Sequence, residues 1–235
     1  MKIESAQNER LKTVRRLAER KHREQEGMFV SEGEDLLEAG LDAGHEPVFS
    51  LVAAGSGLEG IECDPGLLAK ASNLGSGTRV ITVWRLFEAE TPMRPCVFLE
   101  GVSDPGNVGT ILRTSAALAG GTLCLGPGSA DPFSPKAVRA SMGAIFASPP
   151  LRQADLEHLP GPRTALEAHG GDGLELLAGT GTLCLGAERN GLSDEARKAC
   201  ERGVTIPTTG KIESLNVGAA AAIALHLIAS GDSDD

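Results

Sequence analysis

Tyrosine is absent from this 235-residue chain, tryptophan occurs once, and aromatic side chains make up only 3%. A platform that stacks extended single strands needs several exposed rings, so none is expected. No apolar run approaches the roughly 18 to 20 residues of a membrane span, and no transmembrane segment is expected. Met1 to Asn8 contain no apolar stretch with a small-residue cleavage site. No secretory signal is therefore expected, and the default compartment is the cytosol. Five cysteines form an odd set without a CxxC pair, and Cys96, Cys124 and Cys184 lie inside apolar runs. They fit small core residues better than disulfides or zinc ligands. His22, His45, His158, His169 and His226 show no ligand spacing, so no metal is expected. No P-loop occurs, and no glycine fingerprint follows the first strand of the C-terminal half, which disfavours a Rossmann-type dinucleotide site.

Positive charge is also scarce. Lys and Arg number 22 against 32 Asp and Glu, a net of −10 that argues against a general polyanion binder. The distribution is uneven. Residues 1–26 carry Lys2, Arg10, Lys12, Arg15, Arg16, Arg20, Lys21 and Arg23 against five acidic side chains, about +3 locally. A basic arm on an acidic body fits contact with nucleic acid; the same residues also fit a solvated helix face.

Leu11, Val14, Leu17 and Ala18 recur at helical spacing, so residues 8–25 are expected to form one amphipathic helix ended by Gly27. A strand at Phe29-Val30, a helix carrying Leu36, Leu37 and Leu41, strands at 48–53 and 78–84, and a helix over 63–74 complete a small α/β unit. Residues 88–95 hold two prolines and have the character of a linker. Beyond it, apolar runs at 96–99, 122–125, 164–168, 182–185 and 204–206 alternate with helical stretches at 108–119, 135–142, 173–177, 194–201 and 215–229. This alternation predicts an α/β fold with a parallel sheet. The run from Ala219 to Leu225 is apolar nearly all round, which predicts a buried helix. The polar tail 230–235 is expected to be disordered.

In such sheets ligands sit beyond the carboxyl ends of the strands. Three loops there carry chemistry. Glu100 to Arg113 is rich in turn formers and leads into a helix, with Asn107 at the expected N-cap and Arg113 beside the buried side. Capping by Asn107 and a surface ion pair for Arg113 are the plain alternatives. Leu185 to Glu195 contains Gly186-Ala187-Glu188-Arg189-Asn190-Gly191, whose glycines permit close backbone approach to a ligand. Ile206 to Gly218 brings Glu213, Ser214 and Asn216 to the mouth of the apolar helix, where polar groups are costly unless they have a partner.

Taken in order, these loops resemble the three signature motifs of the SpoU (TrmH) branch of the SPOUT RNA methyltransferases. The resemblance covers Cys96 to Ala229 closely. It extends more loosely to residues 8–44, where Asn8, Lys12, Arg20, Lys21, Arg23, Gly27, Phe29 and Glu32-Gly33 resemble the family's L30e-like substrate-binding extension. The organisation it implies is an L30e-like RNA substrate-binding domain over 1–92 and a SPOUT methyltransferase domain over 96–235 with a deep trefoil knot. It also implies S-adenosylmethionine as cofactor and a homodimer with the site near the subunit boundary. Gly186, Ile206 and Leu215 would then offer backbone contacts to the cofactor, and Glu188, Gly191, Ser214 and Asn216 would shape its pocket. Asn107 and Arg113, with Ser214 and Asn216, would form the catalytic side. Arg15, Arg16, Arg20, Lys21, Arg23, Lys136 and Arg139 are the expected RNA contacts. Arg189 and Asn190 depart from the family pattern, where glycine and a small or polar residue are common, and Gly218 stands where serine is common.

The implied reaction is 2′-O-methylation of a ribose in RNA, with 23S ribosomal RNA as the expected substrate and transfer RNA as the alternative within the class. Guanidinium is effectively always protonated, so Arg113 is expected to anchor phosphate rather than abstract a proton. A non-catalytic ribosome-assembly factor with the same fold and a small-molecule-binding α/β protein are the rivals from other classes.

Overall fold

Acidic or hydroxyl residues followed by proline set several helix starts in this chain. Asp64, Asp104 and Ser134 each precede a proline at the first helical turn, and each side chain accepts a backbone N–H of that turn. A proline costs nothing there because its missing N–H would have no intrahelical partner.

Residues 2–73, 77–211 and 214–231 are described by the structure, a computed structural model. The expectations that touch Leu74, Glu213 and the tail 232–235 lie outside the described residues. The N-terminal elements are α1 (Glu9–Arg16), α2 (Arg20–Glu26), β1 (Met28–Glu32), α3 (Glu34–Asp42), β2 (Phe49–Ala53), β3 (Ile61–Cys63), α4 (Pro65–Ala71) and β4 (Val80–Arg85). Next come β5 (Cys96–Leu99), α5 (Pro105–Leu118), β6 (Leu123–Leu125), α6 (Pro135–Ser141), α7 (Ala144–Ala147) and β7 (Leu151–Arg152). The chain ends with β8 (Arg163–Glu167), β9 (Thr182–Leu185), α8 (Asp194–Lys198), β10 (Arg202–Thr205) and α9 (Val217–Gly231). Two compact units result: Met1–Phe87 with Asp131–Ala147, and Glu88–Ala130 with Ser148–Asp235.

The first unit holds a four-stranded sheet in the order β1-β4-β2-β3, antiparallel except for the β2–β3 pair. Leu11, Val14 and Leu17 bury the apolar stripe of the N-terminal segment against Val30, Leu51, Ile81 and Val83. The single helix expected over 8–25 is instead two helices. Arg23 donates to the carbonyls of Leu17 and Ala18 at 2.8 and 2.7 Å. Those carbonyls would serve the next turn of a continuous helix, so the guanidinium replaces that turn. The helix expected from Cys63 starts only at Pro65, because Cys63 ends β3 and bridges Ile3. Asp131–Ala147 belongs to this unit although it follows the linker. Phe133 and Phe146 pack on Phe29, with ring centroids 5.0 and 6.0 Å apart.

The second unit is a six-stranded sheet in the order β10-β8-β9-β5-β6-β7, parallel throughout. Its central strands β9, β5 and β6 are short and buried along their whole length, as expected where both faces are covered. Parallel strands put the exits of β8, β9, β5 and β10 on one edge. The expected helix at 173–177 is a 3₁₀ turn over Leu174–Leu177. α5 and α9 pack on each other. Complete burial of α9 is not found: Val217, Ala221, Ala224, Leu225 and Ile228 face inward, while Ile223 stays 39% exposed. Apolar composition alone did not reveal that one face is left uncovered by the described residues.

Candidate active site

The exit of β5 is tied to the exit of β9. Glu100 accepts both the backbone N–H and the hydroxyl of Ser193, at 2.7 and 3.0 Å. Ser193 in turn caps α8 through the Ala196 N–H. Asn107 does not cap α5 as expected. Asp104 holds that position, with Pro105 just after it, and Asn107 lies inside the first turn with its side chain free to reach outward.

The second loop is a tight hairpin. Ala187 and Gly191 exchange backbone hydrogen bonds at 3.0 and 2.8 Å, and Gly191 has φ +65°, a conformation that favours glycine. Gly186 is needed for space: a Cβ there would collide with the backbone at Gly191 and Leu192. Glu188, Arg189 and Asn190 form the hairpin tip.

The third loop ends on Asn216, which caps α9. Its Oδ1 accepts the Gly218 and Ala219 N–H groups at 2.9 and 3.3 Å. Its amide donates to Oδ1 of Asn107 at 3.2 Å, and the Asn107 amide donates to Glu188 Oε1 at 2.5 Å. One side-chain chain thus joins all three loops.

Beside this chain lies a cleft that is open to solvent on one side. Gly186, Glu188, Gly191, Ile206, Ser214 and Leu215 all border it, so six of the residues named from sequence converge there. Asn107 and Asn216 reach it through Glu188. Sequence reasoning missed Leu166, Glu167 and Ala168 at the end of β8, and Thr208. The strand at 164–168 was legible; its place beside β9, which brings its exit to the cleft, was not. Glu167 accepts Arg197 Nε at 2.6 Å, and that bond holds the guanidinium above its ordinary pKa. The lining suits a nucleoside with a charged tail. Leu166, Leu185, Ile206 and Val217 supply apolar walls, the glycine-bounded hairpin exposes backbone, and carboxylates sit where a cation gains most. Arg113 is exposed on α5, without a hydrogen bond or ion pair to any described residue, and is not part of the cleft lining.

The basic residues fall into two groups. Arg23, expected on RNA, is buried with 3% exposure and spends its guanidinium on Asp131 at 2.9 and 2.6 Å and on two carbonyls. It is a structural residue, because an interior guanidinium must be fully paired. Arg15, Arg16, Arg20 and Lys21 remain exposed, with Arg20 paired to Glu24 and Arg16 to Glu26. In α6, Lys136 is exposed and Arg139 binds both oxygens of Asp35 at 2.9 and 2.7 Å.

Residues 94–226 match the SpoU rRNA Methylase family, and residues 8–85 match the MRM3-like substrate binding domain. The chain belongs to the SpoU rRNA methylase family. A tRNA/rRNA methyltransferase of Synechocystis, itself uncharacterised, is 31% identical to this SpoU methylase over 95% of the chain and 92% of the relative. The 23S rRNA (guanosine(2553)-2′-O)-methyltransferase RlmP of Bacillus subtilis is 29% identical over 95% of the chain and 97% of its own. An AdoMet-bound rRNA methyltransferase from Sinorhizobium meliloti superposes with a TM-score of 0.85 at 25% identity, covering 97% of this SpoU methylase and 96% of that chain. A crystal structure of an RNA 2′-O ribose methyltransferase gives 0.81 at 28% identity over 99% and 100%.

Proposed function

We propose that this SpoU methylase transfers a methyl group from S-adenosylmethionine to a ribose 2′-hydroxyl of RNA, with 23S ribosomal RNA as the substrate. The observation that carries the reading is the hydrogen-bonded chain Asn216–Asn107–Glu188, which joins three loops at the lip of one cleft. The whole-length likeness to RlmP, named for a 23S rRNA 2′-O-methylation, supports the substrate.

The cofactor supplies a methyl group already activated on a sulfonium. The protein's work is therefore mostly alignment. In this reading Gly186, Ile206 and Leu215 would hold the nucleoside by backbone, and Glu188 would add negative charge to a pocket that takes a cationic ligand. Asn107 and Asn216 lock each other's rotamers, and with Ser214 they orient the attacking hydroxyl. Arg113 anchors the substrate phosphate, and the hydroxyl proton passes to water or phosphate, since a guanidinium does not accept it. The first unit, with Arg15, Arg16, Arg20, Lys21, Lys136 and Arg139, grips RNA phosphates.

The enzyme acts in the cytoplasm as a homodimer. The α5–α9 pair leaves Leu118 40% and Ile223 39% exposed, apolar surface that a second copy would cover next to Arg113. A trefoil knot follows from the same reading. β10 lies at the sheet edge, yet α9, which follows it in the chain, packs on α5, the helix that connects β5 to β6.

The test is transfer of labelled methyl from S-adenosylmethionine to unmodified 23S rRNA, 16S rRNA and tRNA in parallel, followed by nucleoside analysis. A 2′-O-methylnucleoside in 23S rRNA is the expected product. Label confined to tRNA would move the substrate, and absence of cofactor binding would overturn the enzymatic reading.

A further inference from the structure

Among the described residues three charged side chains border the cleft: Glu167, Glu188 and Arg189. Two are committed. Glu167 is paired with Arg197 at 2.6 Å, and Glu188 accepts the Asn107 amide. Arg189 makes no hydrogen bond or ion pair with any described residue. It stands at the middle of the tip Glu188-Arg189-Asn190, on a hairpin closed by the two Ala187–Gly191 bonds. Its backbone is therefore fixed at the cleft wall, and only its side chain awaits a partner.

The charge of the wall says what that partner is. S-adenosylmethionine carries two cationic centres, sulfonium and ammonium, and a single anionic group, its carboxylate. With Glu167 neutralised by Arg197, Glu188 favours the cations but repels that anion at close range. We propose that Arg189 binds the carboxylate of the cofactor's amino-acid part, taking it in the planar two-point mode that guanidinium offers to carboxylates. This deepens the cofactor assignment above and rests on it. An RNA phosphate is the other source of an oxyanion. The lining position of Arg189 favours the small ligand, whereas Arg113 lies outside the lining.

Calorimetric titration of wild type, Arg189→Ala and Arg189→Lys with S-adenosylmethionine, S-adenosylhomocysteine and 5′-methylthioadenosine tests this. The last probe keeps the adenosine and the sulfur but lacks the amino-acid part. Arg189→Ala is expected to weaken the first two ligands by about 10- to 100-fold, the scale of a lost charge-assisted hydrogen bond. It should leave methylthioadenosine unchanged, and lysine should restore part of the loss. Equal affinity of Arg189→Ala and wild type for S-adenosylmethionine would overturn the assignment, as would equal weakening of methylthioadenosine. Unchanged cofactor affinity with weakened RNA binding would make the oxyanion a phosphate and likewise overturn it. Failure of the wild type to bind any of the three would instead sink the cofactor reading itself.

Discussion

The side-chain amide of Asn216 donates to Oδ1 of Asn107 across a sequence separation of 109 residues, at 3.2 Å. That contact fixes both amide orientations. Asn216 must accept through Oδ1 to cap α9, which leaves its NH₂ to donate; Asn107 must then accept through Oδ1, which turns its own NH₂ toward Glu188. Two functions of Asn216 can be separated on this basis. Asn216→Ser keeps a capping oxygen but loses the reach to Asn107, and Asn216→Ala loses both. The alanine variant should be less stable than the serine variant by about 1 kcal/mol, the usual worth of an N-cap. Both should lose turnover alike, and Asn107→Ala should join them at roughly 10²-fold, the scale of one misplaced polar group in a preorganised site. Thermal denaturation beside single-turnover rates reads the two effects; serine restoring full turnover would show that only the cap matters.

Arg113 makes no hydrogen bond or ion pair with any described residue. Its replacement by alanine should leave the melting temperature and the S-adenosylmethionine affinity near wild type while lowering kcat by about 10²-fold, as for other groups that act through substrate positioning. Equilibrium titration with cofactor and steady-state kinetics with RNA measure the two separately. A matching loss of cofactor affinity would remove Arg113 from the RNA side of the site.

Much of this arrangement was legible before the fold was known, and its gaps have physical causes. Glycines at 186 and 191 announce a backbone that must approach something closely, and the structure puts one where a Cβ would collide and the other at positive φ. The parallel strands were legible because burial on both faces leaves unbroken apolar runs. The start of α5 was misplaced because Asp104 and Asn107 are both capping residue types. The deciding signal was Pro105, which suits the position just after a cap. Glu167 was invisible as a cleft residue because strand order is a long-range property: β8 lies between β10 and β9, and no local pattern states that. Arg23 had no distinguishing mark among its basic neighbours, since its partner Asp131 lies 108 residues away.

The Arg23–Asp131 pair therefore makes a strong stability prediction. Its side chains are 3% and 5% exposed, and Arg23 also satisfies two carbonyls where α1 and α2 part. Removing one partner strands the other charge inside. Arg23→Ala or Asp131→Ala should cost about 3 to 5 kcal/mol, or roughly 6 to 20 °C in melting temperature for a chain of this size. Arg20→Ala, at an exposed pair, should move it by less than about 1 kcal/mol. Scanning calorimetry of the three variants decides the matter. Equal small shifts would show that Arg23 is no more structural than its neighbours and would return it to the RNA surface.

Glu201 gives the pH dependence. It receives the Arg163 backbone N–H and two guanidinium nitrogens, the shortest side-chain bond being 2.7 Å, so this carboxyl is held down at about 2. The Arg163 side chain is the main cause, and burial opposes it. A depressed carboxyl pKa means that the unfolded chain binds the proton more readily than the folded one. The stabilisation is therefore fully present above the ordinary carboxyl value of 4.5 and drains away as pH falls from there through about 2. Because the Glu201 side chain is 46% exposed, solvent screening cuts the contribution to about 1 kcal/mol. Glu201→Gln should lower the melting temperature by about 2 to 4 °C at pH 7, with the gap to wild type narrowing as pH drops below 4.5. Denaturation curves at pH 7, 5, 4 and 3 measure it, and a gap that stays constant across that series would mean that the carboxylate charge contributes nothing.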